Sequence, residues 1–184
     1  MYHEGGVVLI LNVGAGEMVY GDIRLDIEKK KTTNVVGDAE FLPFKSDVFD
    51  LIFSQCLLEH LPNPGIALKE QRRVCRKDGR IVLITDNAGF WGFYMYGVHS
   101  FPVIRFGKHG KYRGSRVKDS HYFLFTDLHL RNLFRFANLR VQEIRKIPFT
   151  PLKGQKESLF GKFLRVIPLF RNINYPRLLI IAKK

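Results

Sequence analysis

Small, acidic and polar residues recur at one kind of place in this sequence, just past a short apolar run. LILNVGAG (9–16) ends on Gly14, Ala15 and Gly16, and RLDI (24–27) on Asp26 and Ile27. GDAEFLPF (37–44) offers Asp38 and Ala39, and FDLIFSQCLLEHL (49–61) offers Ser54 and Gln55. Glycine lets backbone turn sharply and approach a ligand closely. A carboxylate accepts two hydrogen bonds from a vicinal diol, or one from an exocyclic amine. In an open parallel sheet, ligands bind in the crevice beyond the carboxyl ends of the strands. Four such ends together point to a nucleoside-binding crevice. Each alone has a plainer reading: Asp38 also suits an Asx-turn, and Gly-Ala-Gly a tight strand-to-loop turn.

The elements that must position these residues follow from hydrophobic pattern. VVLILNV (7–13) is a continuous apolar run, as a strand buried on both faces requires. Short strands are expected at 23–27, 34–37 and 48–54. Pro64 opens a helix running to about Arg76. Asp78-Gly79 then turns into a strand ending at Asp86. Thr126 is placed to cap a helix to about Phe136, in which Leu130, Leu133 and Phe134 share a face. Strands are expected at 139–147 and 177–182. The fold class expected is α/β, a Rossmann-like, mostly parallel seven-stranded-type sheet with helices on both faces, a three-layer sandwich whose last strand is antiparallel.

Length and composition bound the rest. A chain of 184 residues with 46% hydrophobic content is long enough for one buried core and short for two. A single domain over 1–184 is expected, with 88–122 as a long aromatic and basic connection and 150–175 as an amphipathic insertion. In the latter, Leu159, Phe160, Phe163, Leu164 and Ile167 form a stripe at helical spacing. No apolar run approaches the roughly 20 residues of a membrane span, and no secretion signal is visible. With Cys56 and Cys75 in expected buried or helical positions, a reduced cytoplasmic setting is the plain reading. Neither cysteine has a partner at ligand spacing and the histidines are scattered, so no metal site is expected. The formal charge of +13 favours anionic partners, or simply marks a basic surface.

The spacing between the first two run ends is unusual. A dinucleotide loop GxGxxG would want glycine at position 19, which is Val19. The ribose-binding acidic residue of that motif follows about 20 positions on, after a crossover helix. Asp26 follows Gly16 by ten. Either the first crossover helix is lost and EMVYGD (17–22) replaces it, or 23–27 is not a neighbouring strand. The first reading is preferred, because an extended link easily reaches a strand about 5 Å away.

With these motifs the chain resembles the class I S-adenosylmethionine-dependent methyltransferases, most closely the UbiE-like, "type 11" group, over 7–86 and more loosely over 121–183. The resemblance implies S-adenosyl-L-methionine as cofactor. It places VGAG at the methionine end, Asp26 with Ile27 at the ribose diol, Asp38 and Ala39 at the adenine, and Ser54 and Gln55 at the aminopropyl group. LPF after Asp38 and LLEHL after the fourth strand are usual continuations of that family.

A sulfonium already activates its methyl group, so such a reaction needs chiefly in-line placement and exclusion of water. An oxygen acceptor also needs a base, for which His60 and His121 are the candidates. The alternative is that His60 caps local backbone while Glu59 stays in water. The aromatic and basic mixture of 88–122 suits a small-molecule or lipid-linked acceptor, an anionic one included. A non-catalytic nucleic-acid- or membrane-binding module on the same fold is the competing function. Nicotinamide chemistry is disfavoured by Val19 and the short spacing.

Overall fold

The computed structural model describes residues 8–90, 121–147 and 175–184. Seven strands form one sheet: β1 (Ile10–Val13), β2 (Ile23–Asp26), β3 (Val35–Val36), β4 (Phe49–Gln55), β5 (Cys75–Asp86), β6 (Arg140–Ile147) and β7 (Arg177–Lys183). Their spatial order is β3-β2-β1-β4-β5-β7-β6. β1 to β5 are parallel, while β7 runs antiparallel to both β5 and β6. The order reverses between β1 and β4, which is where an open α/β sheet leaves its ligand crevice. The expected mostly parallel seven-stranded sheet with an antiparallel last strand is present, while the described helices lie on one face of it. Most of 88–122 and of 150–175, including the stripe at 158–167, lies outside the described residues.

β1 pairs directly with β2, Leu11 facing Ile23 and Val13 facing Leu25, so 23–27 is the neighbouring strand. No helix intervenes in 14–22. The link is fastened instead: the Asn12 amide donates to the Tyr20 carbonyl at 3.1 Å, and Asp22 accepts the Ile10 N–H at 2.9 Å. The Tyr20 ring meets Phe53 edge-on at 5.0 Å.

The register sets the core. Leu11, Ile52, Ile81 and Ala182 share a row, followed by Val13, Ser54, Leu83 and Ile180. All are buried and join one cluster with helix α1 (Pro64–Val74) and helix α2 (Asp127–Phe136) through Ala67, Leu68, Leu130 and Phe134. Each such Leu, Ile or Phe contributes about 1.5–3 kcal/mol of burial. α1 and α2 contact one another, so they cover the same face. No helix of the described residues covers the other, where Ile10, Leu51, Phe53, Val82 and Ile84 are half-buried. None is long and apolar enough to cross a membrane.

Caps explain the helix limits. The Thr126 hydroxyl accepts the His129 N–H at 3.2 Å, as a capping threonine should. α2 stops where Asn138 takes φ 56°, a left-handed conformation asparagine tolerates. α1 ends at Val74, two residues before the sequence expectation. Cys75 is already extended and pairs with Phe49 as the first residue of β5.

One ionic clamp on α1 serves the crevice directly. Arg73 donates to the carbonyls of Phe44 and Leu42 at 2.7 and 2.9 Å and to both Glu70 oxygens. Glu70 in turn accepts the Leu42 N–H at 3.0 Å. The pair thus fixes the segment leaving Asp38 and Ala39. The Arg73 hydrogen bond holds the Glu70 carboxyl below its ordinary range, against an opposing effect of burial. A lowered folded-state pKa gives stability that is complete above the unfolded carboxyl's range and is lost as pH falls through the folded value. Glu70→Gln should therefore cost about 1–3 kcal/mol near pH 7, with the gap to wild type closing below about pH 4.5. Urea unfolding across pH checks this; a gap that widens on acidification contradicts it.

Candidate functional site

The loop after β1 is shaped by two glycines with positive φ, 69° at Gly14 and 57° at Gly16. A Cβ on Gly14 would lie 2.8 Å from the Leu57 side chain, so the backbone there is pressed against the segment leaving β4. A Cβ on Gly16 would meet nothing within 4 Å. Ala15 donates to the Leu25 carbonyl at 2.9 Å. The Asp26 carboxylate then closes the loop, taking the Gly16 N–H on Oδ2 at 2.8 Å and the Glu28 N–H on Oδ1 at 3.0 Å. Lys30 stands 3.5 Å from Oδ2. Each carboxylate oxygen has two lone pairs, so each retains one for a ligand hydroxyl.

At the end of β3, Asp38 Oδ1 accepts the Glu40 N–H at 2.8 Å, which is the Asx-turn. It leaves Oδ2 for another partner. Glu40 is buried and accepts the N–H and side-chain amide of Asn63, the residue before α1. A carboxylate is well placed at a helix N-terminus.

Gly14, Ala15, Gly16, Asp26, Ile27, Asp38, Ala39 and Gln55 line one cavity of about 780 Å³ at the sheet's switch point. Ser54 does not line it. Its side chain turns into the core row beside Val13 and Leu83, fully buried and with its hydroxyl oxygen unpartnered. The same cavity is lined by Glu17, Glu28, Glu40 and Lys30. Among the described residues its lining holds five carboxylates against one ammonium, although the chain carries a formal +13.

His60 also lines the cavity, at the end of a one-turn 3₁₀ helix, Leu58–His60. The backbone N–H of Tyr122 donates to the Glu59 carbonyl at 2.8 Å. That bond brings His121 against His60, with ring centroids 4.3 Å apart, edge to face. His121 Nδ1 is 3.6 Å from Asp86 Oδ2 at the end of β5. The two histidines expected to act near the acceptor are thus one cluster with a carboxylate behind them. Glu59 is not in water. It is fully buried, with Oε2 accepting the Thr85 hydroxyl at 2.8 Å. Burial raises its pKa. Burial, and then Glu59, push the Asp86 carboxyl up to about 7 against the pull of Arg177. Burial pushes the Cys56 thiol up to about 12.

A second, apolar groove of about 840 Å³ lies between the start of α1, residues 123–125 and α2. Both hollows include Pro62, and Tyr122 of the first adjoins Phe123 of the second.

Residues 13–83 match a family model described as a methyltransferase domain. A methyltransferase of Archaeoglobus fulgidus, solved as S-adenosylmethionine-dependent, superposes with TM-score 0.62 at 18% identity over 97% of this chain and 87% of that one. The 1,6-didemethyltoxoflavin-N1-methyltransferase of Burkholderia thailandensis, solved with its acceptor and S-adenosylhomocysteine, gives TM-score 0.57 at 15% identity over 95% and 70%. The fold is that of a class I methyltransferase. Among relatives by sequence, the demethylmenaquinone methyltransferase of Mycobacterium tuberculosis is 41% identical over 54 residues, 29% of this chain and 23% of that protein. An uncharacterised protein of Methanocaldococcus jannaschii is 29% identical over 82 residues, covering 44% and 40%. These matches span less than half the length of either relative.

Sequence reasoning did not find Cys56, Asp86, Tyr122 or Glu40 as site residues. Asp86 was legible as a strand end on the same side as the other four, and that signal alone could have added it. The glycine loop makes a direct prediction. Gly14→Ala combines a positive φ with a 2.8 Å clash and should destabilise the fold by about 1–3 kcal/mol. Gly16→Ala, strained but unobstructed, should cost less. Thermal melts of both variants test the order, and a larger loss at Gly16 refutes it.

Proposed function

We propose that the chain is an S-adenosylmethionine-dependent methyltransferase acting on a small-molecule or lipid-linked acceptor. One observation carries the reading: strand ends distant in sequence converge on a single acidic crevice. An acidic lining suits a nucleoside that bears a sulfonium cation, and repels the pyrophosphate of a nicotinamide dinucleotide. It equally disfavours RNA or anionic lipid as the occupant of this hollow. The residues present fit the cofactor. Asp26 and Ile27 would hold the ribose, Asp38 and Ala39 the adenine edge, and Gly14, Ala15, Gly16 and Gln55 the amino-acid end. Ser54 would support the strand end from within the core.

When bound, the cofactor supplies an already activated methyl group. The chain's own task is then to place the acceptor and take its proton. His60, on the crevice, is the group nearest that task. His121 and Asp86 would hold its ring and spread the charge it gains. The apolar groove that adjoins the crevice at Pro62 and Tyr122–Phe123 would house an apolar portion of the acceptor. Two relatives are named for ring-bearing acceptors, demethylmenaquinone and 1,6-didemethyltoxoflavin, which supports a ring-bearing acceptor here.

Calorimetric titration tests the first half of this reading. S-adenosylhomocysteine should bind and NADH should not. Asp26→Asn and Asp38→Asn should each weaken binding by about 1–3 kcal/mol, the usual loss for a hydrogen bond to a charged group. Unchanged affinity in both variants, or binding of NADH instead, overturns it. A labelled-methyl screen of extract fractions tests the second half. His60→Ala should keep nucleoside affinity and lower turnover by about 100-fold or more.

A further inference from the structure

We propose that Cys56, Glu59 and Asp86 form a binding site for a first-row divalent cation of the zinc type, where the ends of β4 and β5 meet. The Cys56 Sγ and one carboxylate oxygen from each of Glu59 and Asp86 lie within 4.8 Å of one another. Small side-chain rotations bring three such atoms to the roughly 2.0–2.3 Å that zinc requires. Glu59 supplies the independent sign of a missing partner. It is fully buried, Oε2 is taken by Thr85, and Oε1 has no hydrogen-bond partner. A carboxylate oxygen left unmatched out of water is costly. Two carboxyls and a thiol gathered at one point are donors of the kind a divalent cation takes, and its binding would give the unmatched oxygen a partner and displace protons from the ligands.

The donor set selects the ion. A thiolate disfavours magnesium and calcium, and two carboxylates disfavour purely soft copper(I), which leaves zinc and iron(II) as the natural occupants. Three protein donors leave a fourth position open, as in reactive rather than structural zinc sites. His121, 3.6 Å from the Asp86 carboxylate, is placed to orient that ligand. Cys56 and His60 also line the crevice, so the open position would lie beside it. The assignment shares Asp86 with the methyl-transfer reading but needs neither its cofactor nor its acceptor, because it concerns the metal alone.

The test uses the full chain, stripped with a chelator and titrated at neutral pH with Zn²⁺ by calorimetry and with Co²⁺ by absorption. One equivalent should bind, and Co²⁺ should give a thiolate-to-metal charge-transfer band. Cys56→Ser should abolish the band and Cys75→Ser should keep it. Glu59→Gln should weaken Zn²⁺ affinity by about tenfold or more. Absence of the band in the wild-type protein overturns the proposal whatever the variants do, as does a band that survives Cys56→Ser. S-adenosylhomocysteine affinity, measured on the stripped protein, separates failure here from failure of the cofactor reading.

Discussion

The crevice depends on one carboxylate used twice. Neighbouring parallel strands ordinarily require a crossover of a dozen or more residues, usually a helix, to carry the chain back to the starting edge. Here the return is made by residues 14–22 alone. Without a helix to fix its direction, the loop is held by the bonds it makes to β2. Asp26 accepts a backbone N–H from Gly16 on one oxygen and from Glu28 on the other. Thr32, from the next loop, donates to the Gly16 carbonyl at 2.8 Å. The residue that closes the loop therefore also lines the crevice, although it is itself buried.

Charge is partitioned within the molecule. Among the described residues the crevice lining does not share the chain's excess of thirteen positive charges: Glu17, Asp26, Glu28, Asp38 and Glu40 outnumber Lys30 there. Net charge governs diffusion and non-specific association, whereas the groups within a Debye length of the ligand, about 8 Å at physiological salt, govern what it holds. Composition alone pointed toward anionic partners. The local field points the other way for this hollow, and basic residues beyond it remain available for a different surface.

Much of this was legible in the sequence because the informative features are local. An apolar run ending on a small or acidic residue identifies β1, β2, β3 and β4 with their outward-facing ends. Thr126 with the Leu130–Phe134 stripe defines α2 to the residue. The count of ten from Gly16 to Asp26 leaves two readings, a lost helix or a strand that is no neighbour, and the pairing of β1 with β2 decides for the first. What the sequence does not carry is anything set by register between distant strands. Ser54 follows the same rule as Gln55, yet pleat parity sends one into the core and the other to the crevice. Cys56 and Asp86, thirty residues apart in sequence, become neighbours only when β4 pairs with β5.

The same limit explains Glu59 and His60. Adjacent residues in a 3₁₀ turn, with three residues per turn, point about 120° apart. One must then face inward if the other faces the crevice, and nothing in the dipeptide says which. The structure resolves it through β5: Thr85 offers its hydroxyl on the inner side, and Tyr122 binds the Glu59 carbonyl and brings His121 to the outer side. Cys56, just upstream, holds φ at 51°, a conformation that costs a non-glycine residue roughly 1–3 kcal/mol unless its surroundings impose it. A buried glutamate and a left-handed cysteine at one strand junction both work against stability, and the sheet carries them because β4 and β5 are paired along most of their length.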